Sequence, residues 1–204
     1  MPPPLIIILA VFVYGLVHSW LASLEAKAIA RRQFGPPVDR VYRLAYNFFA
    51  SLTLLPVLVL PLLLPDRHLY TITFPWVLLT LTIQVVALVG LVIGLLQTGA
   101  MSFLGLRQLV DPPDASPPQL VVQGLYRWVR HPLYTAGLLF IWPLPVMTVN
   151  LLTLNIGLTV YILIGALFEE RKLLREFGEA YVEYCRRTPM LIPGFRIIRD
   201  ADSH

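Results

Sequence analysis

Long apolar stretches alternate with short polar ones along this chain, and that alternation predicts membrane-crossing helices. Apolar runs cover about Pro4 to Leu24, Val41 to Leu64 and Phe74 to Leu96. Each reaches the roughly 20 helical residues needed to cross a bilayer's hydrocarbon core. Two shorter runs, 132–148 and 151–168, are separated only by a polar point at Val149 and Asn150. They predict a C-terminal helical hairpin, with a re-entrant hairpin as the alternative for such short arms. The fold class expected is therefore all-α integral membrane, a single domain over 1–204 with about five spans. An amphipathic interfacial helix should follow over 169–187, with Leu173, Leu174, Phe177, Tyr181, Tyr184 and Cys185 forming its apolar stripe.

Composition strengthens this reading. Only 14% of the 204 residues are charged and 57% are hydrophobic, and the mean hydropathy is +0.70; soluble domains carry about a quarter charged residues. The first run lacks a cationic leader and a small-residue cleavage site, so a removed signal peptide is not expected. The formal charge of +4 suits cytoplasmic anchoring better than nucleic-acid binding. Fifteen of the sixteen basic residues fall in loop one, in the segment between span three and the hairpin, or in the tail; Arg67 is the exception. Five spans with an external N-terminus put all fifteen on the cytoplasmic side, in keeping with the positive-inside rule, and a bacterial inner membrane is the expected location. The single Cys185 allows no intrachain disulfide.

Local features refine the picture. Pro56 is positioned to kink the second span, and Pro61 to Pro65 to end it. Gly90 and Gly94 share a face of span three and permit close helix approach. The Pro- and Asp-rich stretch from Asp111 to Gln119 reads as a connector.

Polar residues in or beside spans nominate chemistry. His18 follows Tyr14 by one turn, and an ionisable group in a membrane helix is a functional candidate, with an interhelical hydrogen bond as the other reading. Arg43 and Asn47 are four apart at the cytoplasmic start of span two and can face one ligand; a snorkelling Arg and a packing Asn are the alternative. Gln84 and Gln97 need partners for their amides. The stretch Gly124-Leu-Tyr-Arg-Trp-Val-Arg-His-Pro-Leu-Tyr134 brings Arg127, Arg130 and His131 to the start of the hairpin, with Pro132 suited to a first helical turn. It reads either as an anion-binding helix entrance or as an interfacial belt of aromatic and basic residues. Glu169 and Glu170 stand directly at the end of the last span, where charges need water, a cation or an organic ligand. No metal-ligand constellation is visible.

Arg130-His131-Pro132-Leu133-Tyr134 with Gly137, then Glu169-Glu170, Phe177-Gly178, Tyr181, Tyr184 and Pro193, resemble the isoprenylcysteine carboxyl methyltransferase superfamily of membrane enzymes. His18-Ser-Trp-Leu-Ala-Ser23, Lys27 and Tyr42-Arg-Leu-Ala-Tyr-Asn47 resemble the front half of its NnrU-like branch. Phe103 to Gln108, Pro145 to Thr148 and Pro189 to Pro193 look like bacterial methanethiol S-methyltransferases.

The resemblance implies S-adenosylmethionine as methyl donor, with no metal, and a small thiol or lipid-like acceptor reached from the membrane. It implies His131, Pro132, Tyr134, Glu169, Glu170 and Tyr181 as donor-site residues, and Arg130 and Arg127 as groups that either hold a carboxylate or bias the field toward an anionic nucleophile. Arg127, Arg43 and Asn47 fall to the acceptor, and His131 or His18 to its proton. The alternatives are methylation of a lipid-like carboxylate or amine, and a non-catalytic NnrU-like role in nitrogen-oxide metabolism.

Overall fold

A computed structural model of the chain describes residues 1–110 and 119–194; the Asp111–Gln119 connector lies almost wholly outside them, as do Arg196 and Arg199. Among the described residues four helices are long and apolar enough to cross a membrane: α1 (Pro3–Leu21), α3 (Val38–Leu63), α4 (Trp76–Gln97) and α8 (Val149–Phe177). Between them lie α2 (Leu24–Phe34), β1 (His68–Thr71), α5 (Ala100–Leu104), α6 (Arg107–Val110), a 3-10 turn at Gly124–Arg127, α7 (Pro132–Ile141) and β2 (Val146–Thr148). The short α9 (Glu179–Arg187) follows α8.

The long helices bury little of themselves. Leu5, Ile8, Phe12, Leu62, Val85, Val86, Ile156 and Ile164 are among the many large apolar side chains left exposed. A soluble monomer rarely exposes so much contiguous apolar surface; in lipid it is solvated. What core exists is narrow, with Ile7, Val11 and Tyr14 of α1 against Val57 of α3 and Leu154 of α8. Helices α1 and α8 run parallel, since a Cβ at Gly157 would meet Val11 and one at Gly15 would meet Tyr161.

The C-terminal hairpin takes a different form from the one expected. Its first arm is helical for only ten residues, about 15 Å. Pro143 and Pro145 end it, because each lacks an N–H and restricts the residue before it. The chain then bends through residues 142–145, where Leu144 N–H donates to Trp142 O at 2.9 Å, and enters β2, which pairs antiparallel with β1. Helix α8 starts at the polar point itself, where the Thr148 hydroxyl caps Leu151 N–H at 3.3 Å. The second correction concerns the tail. Residues 169–177 continue α8 without a break, so the helix has 29 residues, and it stops at Gly178, whose φ of +53° suits glycine. Only α9 forms a separate helix.

The glycines of α4 do admit a close neighbour: a Cβ at Gly94 would lie 3.0 Å from Leu133, and one at Gly90 3.7 Å from Ala136. Helix α7 thus lies antiparallel along α4, and the Gln84 amide donates to the Phe140 carbonyl at 3.0 Å. Pro56 and Pro61 both sit inside a continuous α3. At the end of the bundle that carries Arg67, Asp66 accepts from Asn150 N–H at 3.0 Å. The buried Asn150 amide donates to the carbonyls of Pro61, Leu64 and Pro65. This latch satisfies carbonyls left over at the end of α3. Helices α2, α5, α6 and α9 gather at the opposite end, around the start of α7 and the last turns of α8.

Candidate active site

Arg130 organises the polar end of the bundle. Its Nε and Nη2 donate to the two carboxylate oxygens of Glu170, at 2.7 and 2.9 Å. Its Nη1 donates to the carbonyls of Thr188 (2.6 Å) and Cys185 (3.3 Å), so the same guanidinium caps the C-terminus of α9. The backbone adds two bonds, Arg130 N–H to Pro189 O and His131 N–H to Met190 O, and the Thr135 hydroxyl donates to Leu191 O. One residue thereby ties the entrance of α7 to α8, to α9 and to the strap 188–191. Burial opposes the Arg130 charge, but the hydrogen bonds and negative charge of Glu170 outweigh it and raise the guanidinium pKa further.

Glu170 is the hub on the other side. Oε1 lies within hydrogen-bond distance of Arg130 Nε, of His131 Nε2 at 2.9 Å and of the Tyr181 hydroxyl at 2.9 Å, while Oε2 faces Arg130 Nη2. These contacts occupy most of the lone-pair capacity of a carboxylate. Tyr181 is almost fully buried; burial first, then the Glu170 charge, holds its phenol well above the usual range. It therefore stays protonated and donates.

Glu169, one residue earlier, has a different outlook. Its carboxylate lies 3.6 Å from His131 Nδ1 and lines a cavity of about 520 Å³, which Glu170 does not. The buried His131 ring stacks on Tyr134, centroids 5.4 Å apart, and both line the same cavity. Arg43, Thr98, Ser102 and Phe103 close one side, and Lys172, Glu176, Tyr181 and Tyr184 the other. Tyr126 also lines it, its phenol pushed up to about 12 by burial and then by the charge of Glu169.

The residues nominated from sequence therefore separate. Arg130, His131, Tyr134, Glu169, Tyr181 and Arg43 line one cavity, with Glu170 bracing three of them from behind. Pro132 is buried at the first turn of α7. The Asn47 amide instead donates to Phe103 O at 2.8 Å, which positions α5. Arg127 is exposed and away from the cavity wall. His18 lies in a separate aromatic cluster, its Nε2 2.6 Å from the Tyr46 hydroxyl and its ring against Tyr14 and Tyr161. Thr98 and Ser102 belong to the wall although neither stood out in the sequence, and so do Lys172 and Glu176, which read there only as a charge pair at helical spacing. Lys172 and Glu176 follow Glu169 at helical spacing, a signal that also fits a solvated surface pair. Among the described residues no group of three metal-ligating side chains occurs.

Glycine makes two of these approaches possible. Gly105, at φ +89°, packs so closely that a Cβ would lie 2.6 Å from Leu44 N. Gly124, at φ +63°, lies against Gln97, whose Oε1 accepts from Leu125 N–H at 3.0 Å.

The Phospholipid methyltransferase family profile matches residues 82–180, which include α7, Arg130, His131, Glu169 and Glu170. The chain is 30% identical to methanethiol S-methyltransferase 1 of Bradyrhizobium diazoefficiens, over 94% of this chain and 67% of that protein. It is 32% identical to the methanethiol S-methyltransferase of Crocosphaera subtropica, over 89% of this chain and 71% of that protein. The chain belongs to this methyltransferase family. A shorter stretch of 69 residues is 49% identical to methanethiol S-methyltransferase 2 of the same Bradyrhizobium strain. No solved structure matches the chain.

Membership makes the chain an S-adenosylmethionine-dependent methyltransferase, and the cavity fits that donor. Its volume lies in the range of about 300–1,000 Å³ usual for small-molecule sites. Its wall offers both signs of charge for a donor that carries a carboxylate, an ammonium and a sulfonium. Arg43, Arg130 and Lys172 are the cations, Glu169 and Glu176 the anions. Tyr126, Tyr134 and Phe103 supply flat faces for an aromatic base.

Proposed function

We propose that this enzyme transfers a methyl group from S-adenosylmethionine to a small thiol such as methanethiol, in the cavity at the cationic end of the bundle. The observation that carries the reading is the Arg130–Glu170–His131–Tyr181 network, which holds three structural elements around a cavity of mixed charge. The names of the relatives support a thiol acceptor. The donor supplies an electrophilic methyl group on a sulfonium. Glu169 and Glu176 balance its positive charges, and Arg43 pairs with its carboxylate. His131 and Tyr134 form the wall against which the donor is oriented, and Glu170 keeps that wall in place. Arg130 acts on the acceptor only through its field, because its hydrogen bonds go to Glu170 and to carbonyls. Positioning supplies most of what an in-line displacement needs, and a dry site strengthens the attraction between thiolate and sulfonium.

The proposed topology has five crossings. The ten-residue α7 and the bent segment and strand after it together run from the Glu170 level to β1, which amounts to a fifth passage made with half a helix. The N-terminus is then external, and α9 and the cavity face the cytoplasm, as the segregation of basic residues supports. The Arg-His-Pro and Glu-Glu pattern supports a place in the isoprenylcysteine carboxyl methyltransferase superfamily, and the front half a place in its NnrU-like branch.

The test is detergent-purified protein with methyl-labelled S-adenosylmethionine and, in turn, methanethiol, a prenylated carboxylate and a phospholipid amine. Label is expected in dimethyl sulfide. Label in the lipid amine alone, the acceptor suggested by the matched family profile, would overturn the thiol assignment.

A further inference from the structure

On α8, open space lies between the His18 cluster and the cavity. Gly165 follows Tyr161 and precedes Glu169 by four residues each, so the three share one face of α8. Tyr161 belongs to the His18 cluster and Glu169 to the donor cavity. Between them, a Cβ at Gly165 would meet no heavy atom within 4 Å, and the same holds for Gly137 on α7. Neither glycine is fully exposed. Helices α7 and α8 touch lower down, where the Asn155 amide donates to Ile141 O at 2.6 Å and Trp142 to Thr159 at 3.0 Å, and they meet again where His131 lies 2.9 Å from Glu170; the two glycines fall between these contacts. The parallel register of Val11 with Gly157 and Gly15 with Tyr161 brings Ser19, next to His18, level with Gly165.

We propose that this space beside Gly165, between α7 and α8, is the acceptor's pocket, and that His18 takes the acceptor's proton there. The inference rests on the thiol reading above. A small neutral thiol enters from the apolar side of the bundle and leaves its S–H proton on the His18 imidazole. Its sulfur then forms the new bond to the methyl carbon, while the methyl–sulfonium bond breaks and its electron pair stays on the donor sulfur. The groups that face His18 are Tyr14 on its own helix, Tyr46 on α3 and Tyr161 on α8. Arg43 acts on Tyr46 through its charge, and Tyr134 stands within electrostatic reach of both Tyr46 and Tyr161. Among the described residues the hydrogen-bond partners of the imidazole are phenols and not carboxylates. An imidazole with no carboxylate to hold its proton is suited to accept one.

The experiment compares Gly165→Val, Gly165→Ala and His18→Gln with the wild type, reading donor Kd by calorimetry together with KM and kcat for methanethiol. Gly165→Val should raise the thiol KM at least tenfold with donor Kd within twofold, and Gly165→Ala should do the same more weakly. His18→Gln should lower kcat at least tenfold at neutral pH and recover as pH rises and more acceptor ionises in solution. A purely structural histidine would give a loss that pH does not repair. An unchanged thiol KM in both Gly165 variants overturns the pocket, as does a parallel loss of donor binding. A pH-independent defect in His18→Gln overturns its role. Wild-type protein that methylates no thiol defeats the underlying function instead, so the two failures are distinguishable.

Discussion

Replacing Glu170 with alanine tests the organisation of the site. The substitution removes every hydrogen bond that the Glu170 carboxylate makes with Arg130, His131 and Tyr181. Breaking a buried ion pair from one side costs about 3–5 kcal/mol. Arg130 and Glu170 retain 12% and 19% side-chain exposure, so the lower end applies, about 3 kcal/mol. The loss falls on the docking of α9 and the 188–191 strap rather than on the apolar helices, whose contacts lie elsewhere. At about 1.4 kcal/mol per decade, donor affinity should fall about 100-fold. Far-ultraviolet circular dichroism in detergent should keep the helical signal, and α9 amides should exchange faster. Glu170→Gln retains an acceptor but turns an amide donor toward the guanidinium, and should lose about tenfold, roughly 1.4 kcal/mol. Calorimetric titration with S-adenosylmethionine reads all of this. A donor Kd in Glu170→Ala within twofold of wild type would falsify the bracing role assigned to this carboxylate.

Other perturbations separate the parts of the site. Arg43→Ala should raise the donor KM more than tenfold while thermal stability stays within a few degrees, and unchanged donor kinetics would remove Arg43 from the site. Gly105→Ala forces a left-handed alanine against the α3 backbone; it should cost about 1–3 kcal/mol and weaken donor binding by moving Phe103, which a binding titration checks. Asn150→Ala leaves carbonyls at the end of α3 without their donor and should lower stability by about 1–3 kcal/mol with kcat intact; a change in kcat instead would mean that the latch communicates with the site. Cys185 has its thiol pushed up by burial, an effect that Glu170 adds to and Arg130 opposes. Alkylation at neutral pH should therefore be slow in the wild type and faster in Glu170→Ala, where one raising influence and some burial are lost; equal rates would contradict that.

Much of this organisation was legible in the sequence because membrane helices are specified by composition, and the long apolar helices fall on the apolar runs. The Arg130-His131 and Glu169-Glu170 pairs were visible as polar residues that an apolar run must justify. Their division of labour was not. Adjacent carboxylates on a helix point about 100° apart, and only the packing of α9 decides that Glu170 faces Arg130 while Glu169 faces the cavity. Arg43 and Asn47 share a helical face by spacing, yet the Phe103 carbonyl, 56 residues away from Asn47, claims the amide. The shortness of α7 was written in Pro143 and Pro145, but the apolar run around them hid it, since hydropathy does not register a missing N–H. Of the partners of His18 only Tyr14, one turn earlier, was legible in the sequence, because Tyr46 and Tyr161 come from two other helices.

Light-induced crosslinking of labelled S-adenosylmethionine to the purified protein, followed by peptide mapping, tests most directly where the donor sits. The account predicts label in peptides containing Phe103, Tyr126 to Tyr134 or Tyr181, displaced by excess unlabelled donor. Specific label at the far end of the bundle, around Asp66 and Asn150, would contradict it.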